Sequence, residues 1–384
     1  MNRGSFFSKA LSGLAAGALV LLASCGGGGG GGRSTALQSA ANAGIDNVAS
    51  APIPGANVLQ ITVDRGTDGN AINTPFVTVR VCQPGTATCV DIDHVVLDTG
   101  SSGLRVAASA LPPGMTLASV TTAGGQAVGQ CAQFASGFSW GSVRRADVRM
   151  GGEVATNLPI QVVNDTALPF AQDAVRAACD VGPPGAPNFY YGCNAGGGCS
   201  PSRLALASQV SNPVMAFANN NNGVALVLPA VPSGGAGQAS GSLLLGVGTQ
   251  SNNQLGTATV FAANAQGFIT TTYNGVEFRS SFLDSGYNGM FFNDAALPSC
   301  GDFYCPNTSP LPLSAVNTSA AGVTAQVDFF IDDVRLIRDR AAAAHIGGST
   351  SIPDSFDYGL PFFFGRSVFV GFAAPFGSGP FWAY

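Results

Sequence analysis

One pattern occurs twice in this chain and limits its possible folds more than any other feature. Val96-Leu97-Asp98-Thr99-Gly100-Ser101-Ser102-Gly103-Leu104 is answered by Phe282-Leu283-Asp284-Ser285-Gly286-Tyr287-Asn288-Gly289-Met290. Each copy reads apolar, apolar, Asp, hydroxyl, Gly, two variable residues, Gly, apolar. Repeats every 20 to 50 residues build solenoids. A single repetition about half a chain away instead implies two similar lobes facing each other, each offering one Asp loop.

The 384 residues are 46% hydrophobic and 10% charged, enough apolar material for one large β domain or two lobes. With 52 glycines and 23 prolines, many set between short apolar runs, turns and strands are favoured over long helices. In Phe76 to Val81 the residues Val77, Val79 and Val81 point one way, the pattern of a half-buried strand. Val95-Val96-Leu97 predicts a short buried strand that stops at Asp98. The expected class is all-β, two-lobed, with a cleft between the lobes. A net charge of -5 gives nucleic-acid binding no electrostatic support.

The first 25 residues read as a targeting segment. Arg3 and Lys9 form a positive region, and Ala10 to Ala23 form an apolar one too short for a spanning helix. Leu22-Ala23-Ser24-Cys25 has the form of a lipobox, with small residues before a cysteine that takes lipid. The glycine run Gly26 to Gly32 would be a flexible tether. The expected organisation is a signal peptide over 1–25, a Gly/Ala-rich linker over 26–54, a first β lobe over 55–235 and a second over 236–384. Lipidation at Cys25 implies the cell envelope. Gly26 rather than Asp after it points to the outer membrane, by similarity to Gram-negative lipoproteins.

Setting Cys25 aside leaves an even number of the nine cysteines, in a compartment that permits disulfides. Cys82/Cys89, Cys193/Cys199 and Cys300/Cys305 lie close enough to clip local loops, which leaves Cys131 and Cys179 for each other. A metal site is not expected, because no C-x-x-C pair occurs and the two histidines, His94 and His345, stand far apart.

Two Asp loops, each ending an apolar strand, resemble those of pepsin-like aspartic proteases. Other stretches agree in order. Phe134-Ala135-Ser136-Gly137, with Trp140-Gly141 and Met150-Gly151-Gly152 behind it, is similar to the family's flap hairpin. Gly223 to Leu228 and Gly241 to Gly246 are similar to the strands that cross between lobes, and Phe363-Phe364-Gly365 to the strand supporting the second Asp loop. The Asp loops and the Gly359 to Arg366 segment also resemble uncharacterised pepsin-like bacterial lipoproteins. The resemblance implies Asp98 and Asp284 as a catalytic pair and Thr99 and Ser285 as a brace between loops. It also implies Gly100 and Gly286 at the close approach, Ser101 as a donor to Asp98, and Phe134, Ser136 and Gly137 in the flap. The implied activity is peptide hydrolysis by a water activated between two carboxyls, with no cofactor and no metal. The implied partner is a peptide or protein substrate in the cleft of a monomer. The alternative is a degenerate scaffold that binds a peptide or envelope partner.

Three positions depart from that family. Tyr287 stands where a hydroxyl would serve Asp284, Phe134 where a flap tyrosine is usual, and Arg105 where an aromatic residue often follows the first loop. In the first lobe, Tyr190-Tyr191-Gly192 matches the supporting apolar-apolar-Gly strand in letters only.

Overall fold

The computed structural model describes residues 47–134, 137–165, 179, 189–194, 198–337 and 340–384. These residues form an all-β protein of two large sheets, one of fifteen strands and one of nine. The expected strand over Phe76 to Val81 lies within Pro75–Cys82, where Val77, Val79 and Val81 are buried while Thr78 and Arg80 are exposed. Period-two alternation produces this pattern, because successive side chains leave opposite faces of the strand.

In the first lobe Pro75–Cys82 pairs antiparallel with Cys89–Val96 and with Gly137–Met150. Gly137–Met150 also pairs with Glu153–Val163 and with Ala127–Phe134. The second lobe is built on Ile269–Tyr273, Val276–Leu283, Leu311–Thr318 and Thr324–Ile331. Between the lobes run Val58–Val63, Gln238–Leu245, Gly223–Val227 and Ser367–Gly371, each paired antiparallel with the next. Gly223–Val227 and Gln238–Leu245, which the resemblance places between lobes, are the two middle strands of this run. The division at 235/236 therefore falls in a turn inside a sheet that both lobes share.

Two local expectations are corrected. Asn47–Ala49, read as linker, pairs in parallel with Gln238–Ser240, because backbone pairing needs no apolar side chains. Phe363-Phe364-Gly365 does not flank the second Asp strand. That place is taken by Asp357–Tyr358, parallel to Phe282–Leu283, while Leu360–Phe363 form a single helical turn with Pro361 near its start.

One continuous apolar core runs through both lobes, from Ile61, Val79 and Val106 to Phe261, Phe292 and Phe363. Aromatic rings dominate the second lobe, where Phe292 and Phe356 stack at 4.6 Å between centroids. All four disulfides form: Cys82–Cys89, Cys131–Cys179, Cys193–Cys199 and Cys300–Cys305. The first two local pairs join directly facing residues of antiparallel strands. Cys25, the lipobox and the glycine tether lie outside the described residues. No helix among the described residues is long and apolar enough to cross a membrane.

Candidate active site

Both Asp loops leave the C-terminal ends of strands and meet. Asp98 follows Cys89–Val96, and Asp284 follows Val276–Leu283, where its amide donates to the Tyr358 carbonyl at 2.9 Å. The loops are tied by reciprocal bonds. Thr99 Oγ1 donates to the Leu283 carbonyl at 2.9 Å, and Ser285 Oγ donates to the Leu97 carbonyl at 2.7 Å. The same hydroxyls accept the opposite amides, Ser285 N at 2.9 Å and Thr99 N at 3.1 Å. A hydroxyl is the smallest side chain that donates and accepts at once, which is why Thr and Ser fit here.

Glycine is required at the next position in each loop. A Cβ at Gly100 would collide with the Asp284 carboxyl, and one at Gly286 with that of Asp98. With glycine at both, the two carboxyls come within hydrogen-bond reach of each other.

Their surroundings differ. Asp98 accepts from the amides of Gly100 at 2.8 Å and Ser101 at 3.0 Å, and from the Ser101 hydroxyl. Asp284 accepts from the Gly286 amide at 2.9 Å and has no hydroxyl beside it, because Tyr287 holds that position. The Tyr287 ring instead packs on Phe291, 4.3 Å between centroids. Burial first, and the neighbouring Asp98 second, push the Asp284 carboxyl well above the ordinary carboxylate range. Two carboxyls this close cannot both ionise, so they hold one proton between them. Burial of Asp284, with Asp98 against it, favours the proton on Asp284.

A third carboxyl belongs to this site and escaped the sequence reading. Asp357 is 2% exposed, in the strand beside Asp284, and its Oδ1 has no hydrogen-bond partner among the described residues. Burial, then Asp284 and Asp98, raise it well above the usual range and so favour its protonated form. The signal was present in Phe356-Asp357-Tyr358-Gly359, a lone acid inside an aromatic run. Gly359 is the glycine of that strand, where a Cβ would strike the Gly289 and Tyr287 carbonyls.

The flap residues are partly described. Phe134 and Gly137 face each other at the end of the hairpin, and Ser136 lies outside the described residues. Phe134 sits over the Arg105 guanidinium, 5.1 Å from ring centroid to its central carbon. Tyr190-Tyr191-Gly192 pairs with Ala127–Phe134, away from the Asp98 strand. The Tyr190 phenol accepts the Val210 amide at 2.9 Å and sits in a buried polar group with Gln130 and Gln161. Among the described residues no group of His, Cys, Asp and Glu is placed to hold a metal ion.

The model of a family described as "Protein of unknown function (DUF3443)" matches residues 54–182 and 169–384. The chain belongs to this family. No curated protein matches it. Among solved structures it is similar to the crystal structure of aspartic proteinase from Irpex lacteus, at 13% identity and a TM-score of 0.47. That match covers 85% of this chain and 96% of the other. For this DUF3443 chain, then, the function has to be argued from the carboxyl pair itself.

Proposed function

We propose that this protein is an aspartic endopeptidase held at the cell envelope by a lipid on Cys25. The observation that carries the reading is the braced pair of close carboxyls, of which Asp284 is pushed towards keeping its proton. Asp98 would take a proton from a water lying between the carboxyls as that water attacks the peptide carbonyl. Asp284 would give its proton to the carbonyl oxygen. As the tetrahedral intermediate collapses, Asp98 would pass the water's proton to the leaving nitrogen while Asp284 takes one back from the gem-diol hydroxyl, and the C–N bond breaks. The chemistry needs no covalent intermediate. Its substrate would be an extended peptide or protein segment lying between the lobes of a monomer.

The lipobox ending at Cys25 and the run Gly26 to Gly32 support the anchor, and Gly26 supports the outer membrane. Replacing Cys25 by Ser should move the protein to the soluble fraction. Unchanged membrane association would remove the anchor from the proposal.

The deciding test is cleavage of a broad peptide library from about pH 3 to about pH 7, wild type against Asp284→Asn. Cleavage lost in the variant supports the endopeptidase. A second reading rests on Tyr287, which removes the hydroxyl from Asp284, and on the first lobe, where no apolar-apolar-Gly strand flanks Asp98 among the described residues. In that reading the cleft binds a peptide or envelope partner without cutting it. Folded protein with no dyad-dependent cleavage at any acidic pH would favour it.

A further inference from the structure

Three arginines of this chain hold a carboxylate with the same edge. Arg80 donates from Nε and Nη2 to Asp91 at 2.6 and 2.7 Å, and Arg144 does so to Asp165 at 3.0 and 2.6 Å. Arg335 repeats the arrangement on Asp333, from Nε at 2.9 Å and Nη2 at 2.6 Å. That edge is the planar fork of the guanidinium, which matches the geometry of a carboxylate. Arg105 differs. Its Nη1 donates to the carbonyls of Ser102 at 2.8 Å and Gly103 at 3.0 Å, which fixes the side chain under its own loop. Its Nε and Nη2 bond to none of the described residues, and no ion pair among them includes Arg105.

The fold sets the place of that edge. Arg105 opens the short strand Arg105–Ala107, parallel to Gln161–Val163, directly after the loop whose Ser101 hydroxyl donates to Asp98. One face of the guanidinium carries the Phe134 ring, 5.1 Å from ring centroid to central carbon. Phe134 in turn ends the strand Ala127–Phe134, where the hairpin closes on Gly137. The guanidinium therefore joins the first Asp loop to the hairpin end, and both Arg105 and Phe134 are half-buried there. The Tyr190 phenol and Asp98 act on it through space, but neither is bonded to it. Of the two edge nitrogens Nε alone is buried, so Nη2 is where a carboxylate would first arrive. Burial disfavours the charge on Arg105, so a carboxylate meeting this fork gains more than one meeting an arginine in open water.

We propose that Arg105 is a specificity-determining residue, taking the carboxylate of an aspartate or glutamate side chain on a peptide that lies against the first Asp loop. An internal stretch of peptide offers carboxylates only on its side chains, so those are what the fork can meet. The Phe134 ring covers a face of the guanidinium, and the carboxylate comes in its plane. As a preference in cleavage this rests on the endopeptidase reading. As a preference in binding it holds equally for a cleft that does not cut.

The test uses the full chain carrying Asp284→Asn, so that nothing is cut, and pairs of extended peptides with amidated ends. One twin of each pair holds a single glutamate, the other a glutamine, and the position is scanned along the peptide. At about pH 6, where glutamate is ionised, the glutamate twin should bind about tenfold tighter at one position of the scan. Arg105→Met in the same background should erase that preference, and Arg105→Lys should keep part of it, as a charge without a fork. Arg105→Gln keeps a donor for the loop carbonyls while removing the charge, and stands in should the Met variant not fold. In the wild type kcat/KM should favour the same twin. No glutamate preference at any position, or one unchanged in a folded Met or Gln variant, would overturn the proposal. An Arg105-dependent preference in binding, with no cleavage by the wild type, would end the endopeptidase reading and leave this one standing. Cleavage of both twins alike, with equal binding, would do the reverse.

Discussion

The Thr99 hydroxyl accepts the Ser285 amide, and the Ser285 hydroxyl accepts the Thr99 amide, at 2.9 and 3.1 Å. Each hydroxyl also donates to a carbonyl of the opposite strand, so four bonds lock two loops that lie half a chain apart. Thr99→Val keeps the shape and strands a buried carbonyl and amide, a cost of about 1–3 kcal/mol for each group left unpaired. Ser285→Ala should cost a similar amount. The double variant should be clearly less destabilised than the sum, with a coupling of about 1 kcal/mol or more in a denaturant double-mutant cycle. Additive losses would mean that the two halves of the brace act independently.

Asp357 makes stability depend on pH in an uncommon direction. Burial first, then Asp284 and Asp98, raise its folded ionisation above that of the unfolded chain. A raised acid supports folding while protonated. Its contribution is complete below the unfolded range, near about pH 4, and is lost as pH climbs through the folded ionisation. Asp284 is raised as well and adds in the same direction. The wild-type Tm should therefore fall from about pH 4 towards neutrality. Asp357→Asn should flatten part of that slope, and Asp357→Leu should also relieve the unpartnered oxygen, gaining about 1–3 kcal/mol at neutral pH. Thermal melts across pH decide this, and a slope unchanged in both variants would show that Asp357 is not the cause.

Both Asp loops were legible because the sequence repeats a nine-residue pattern, and a repeat reports symmetry without any knowledge of pairing. The disulfides were legible because three pairs are close in sequence and the remainder is forced. What stayed hidden depends on tertiary pairing. Phe363-Phe364-Gly365 and Asp357-Tyr358-Gly359 both end in glycine, and only the parallel register with Phe282–Leu283 shows which one flanks Asp284. The apolar spelling of the first drew the reading away from an acid buried in the second. Asn47–Ala49 carried no periodic signal, since its place follows from backbone bonds to Gln238–Ser240. The contact of Arg105 with Phe134 joins a loop to a hairpin tip, and no spacing in the sequence encodes that.

The disulfides should differ in worth. Cys131–Cys179 closes a span of 48 residues, while the local pairs close 5 to 7. Chain-entropy arguments give about 4 kcal/mol for the long loop and about 2 kcal/mol for each short one. Cys131→Ala with Cys179→Ala should lower stability roughly twice as much as removing Cys193–Cys199. Denaturant unfolding of the two paired variants measures this, and equal losses would place the stabilisation in packing around the sulfurs.

Tyr287 is the sharpest test of whether the pair is tuned or idle. In the first loop the Ser101 hydroxyl donates to Asp98, and the matching position beside Asp284 is filled by a ring packed on Phe291. Burial, then Asp357 and Asp284, push the phenol above its ordinary range, so it stays neutral and adds no charge. Tyr287→Ser would place a hydroxyl donor beside Asp284, which has only backbone amides there, at the cost of ring packing against Phe291. A donor to the charged form of a carboxyl favours ionisation, so the second ionisation of the pair should move down and the high-pH limb of activity with it. If the missing donor limits the rate, kcat should rise several-fold at the acidic optimum while stability falls by about 1–3 kcal/mol. Paired pH–rate profiles and melts separate the two effects. An unchanged profile with the expected loss of stability would show that the ring serves only packing, and that the rate is set by the first lobe.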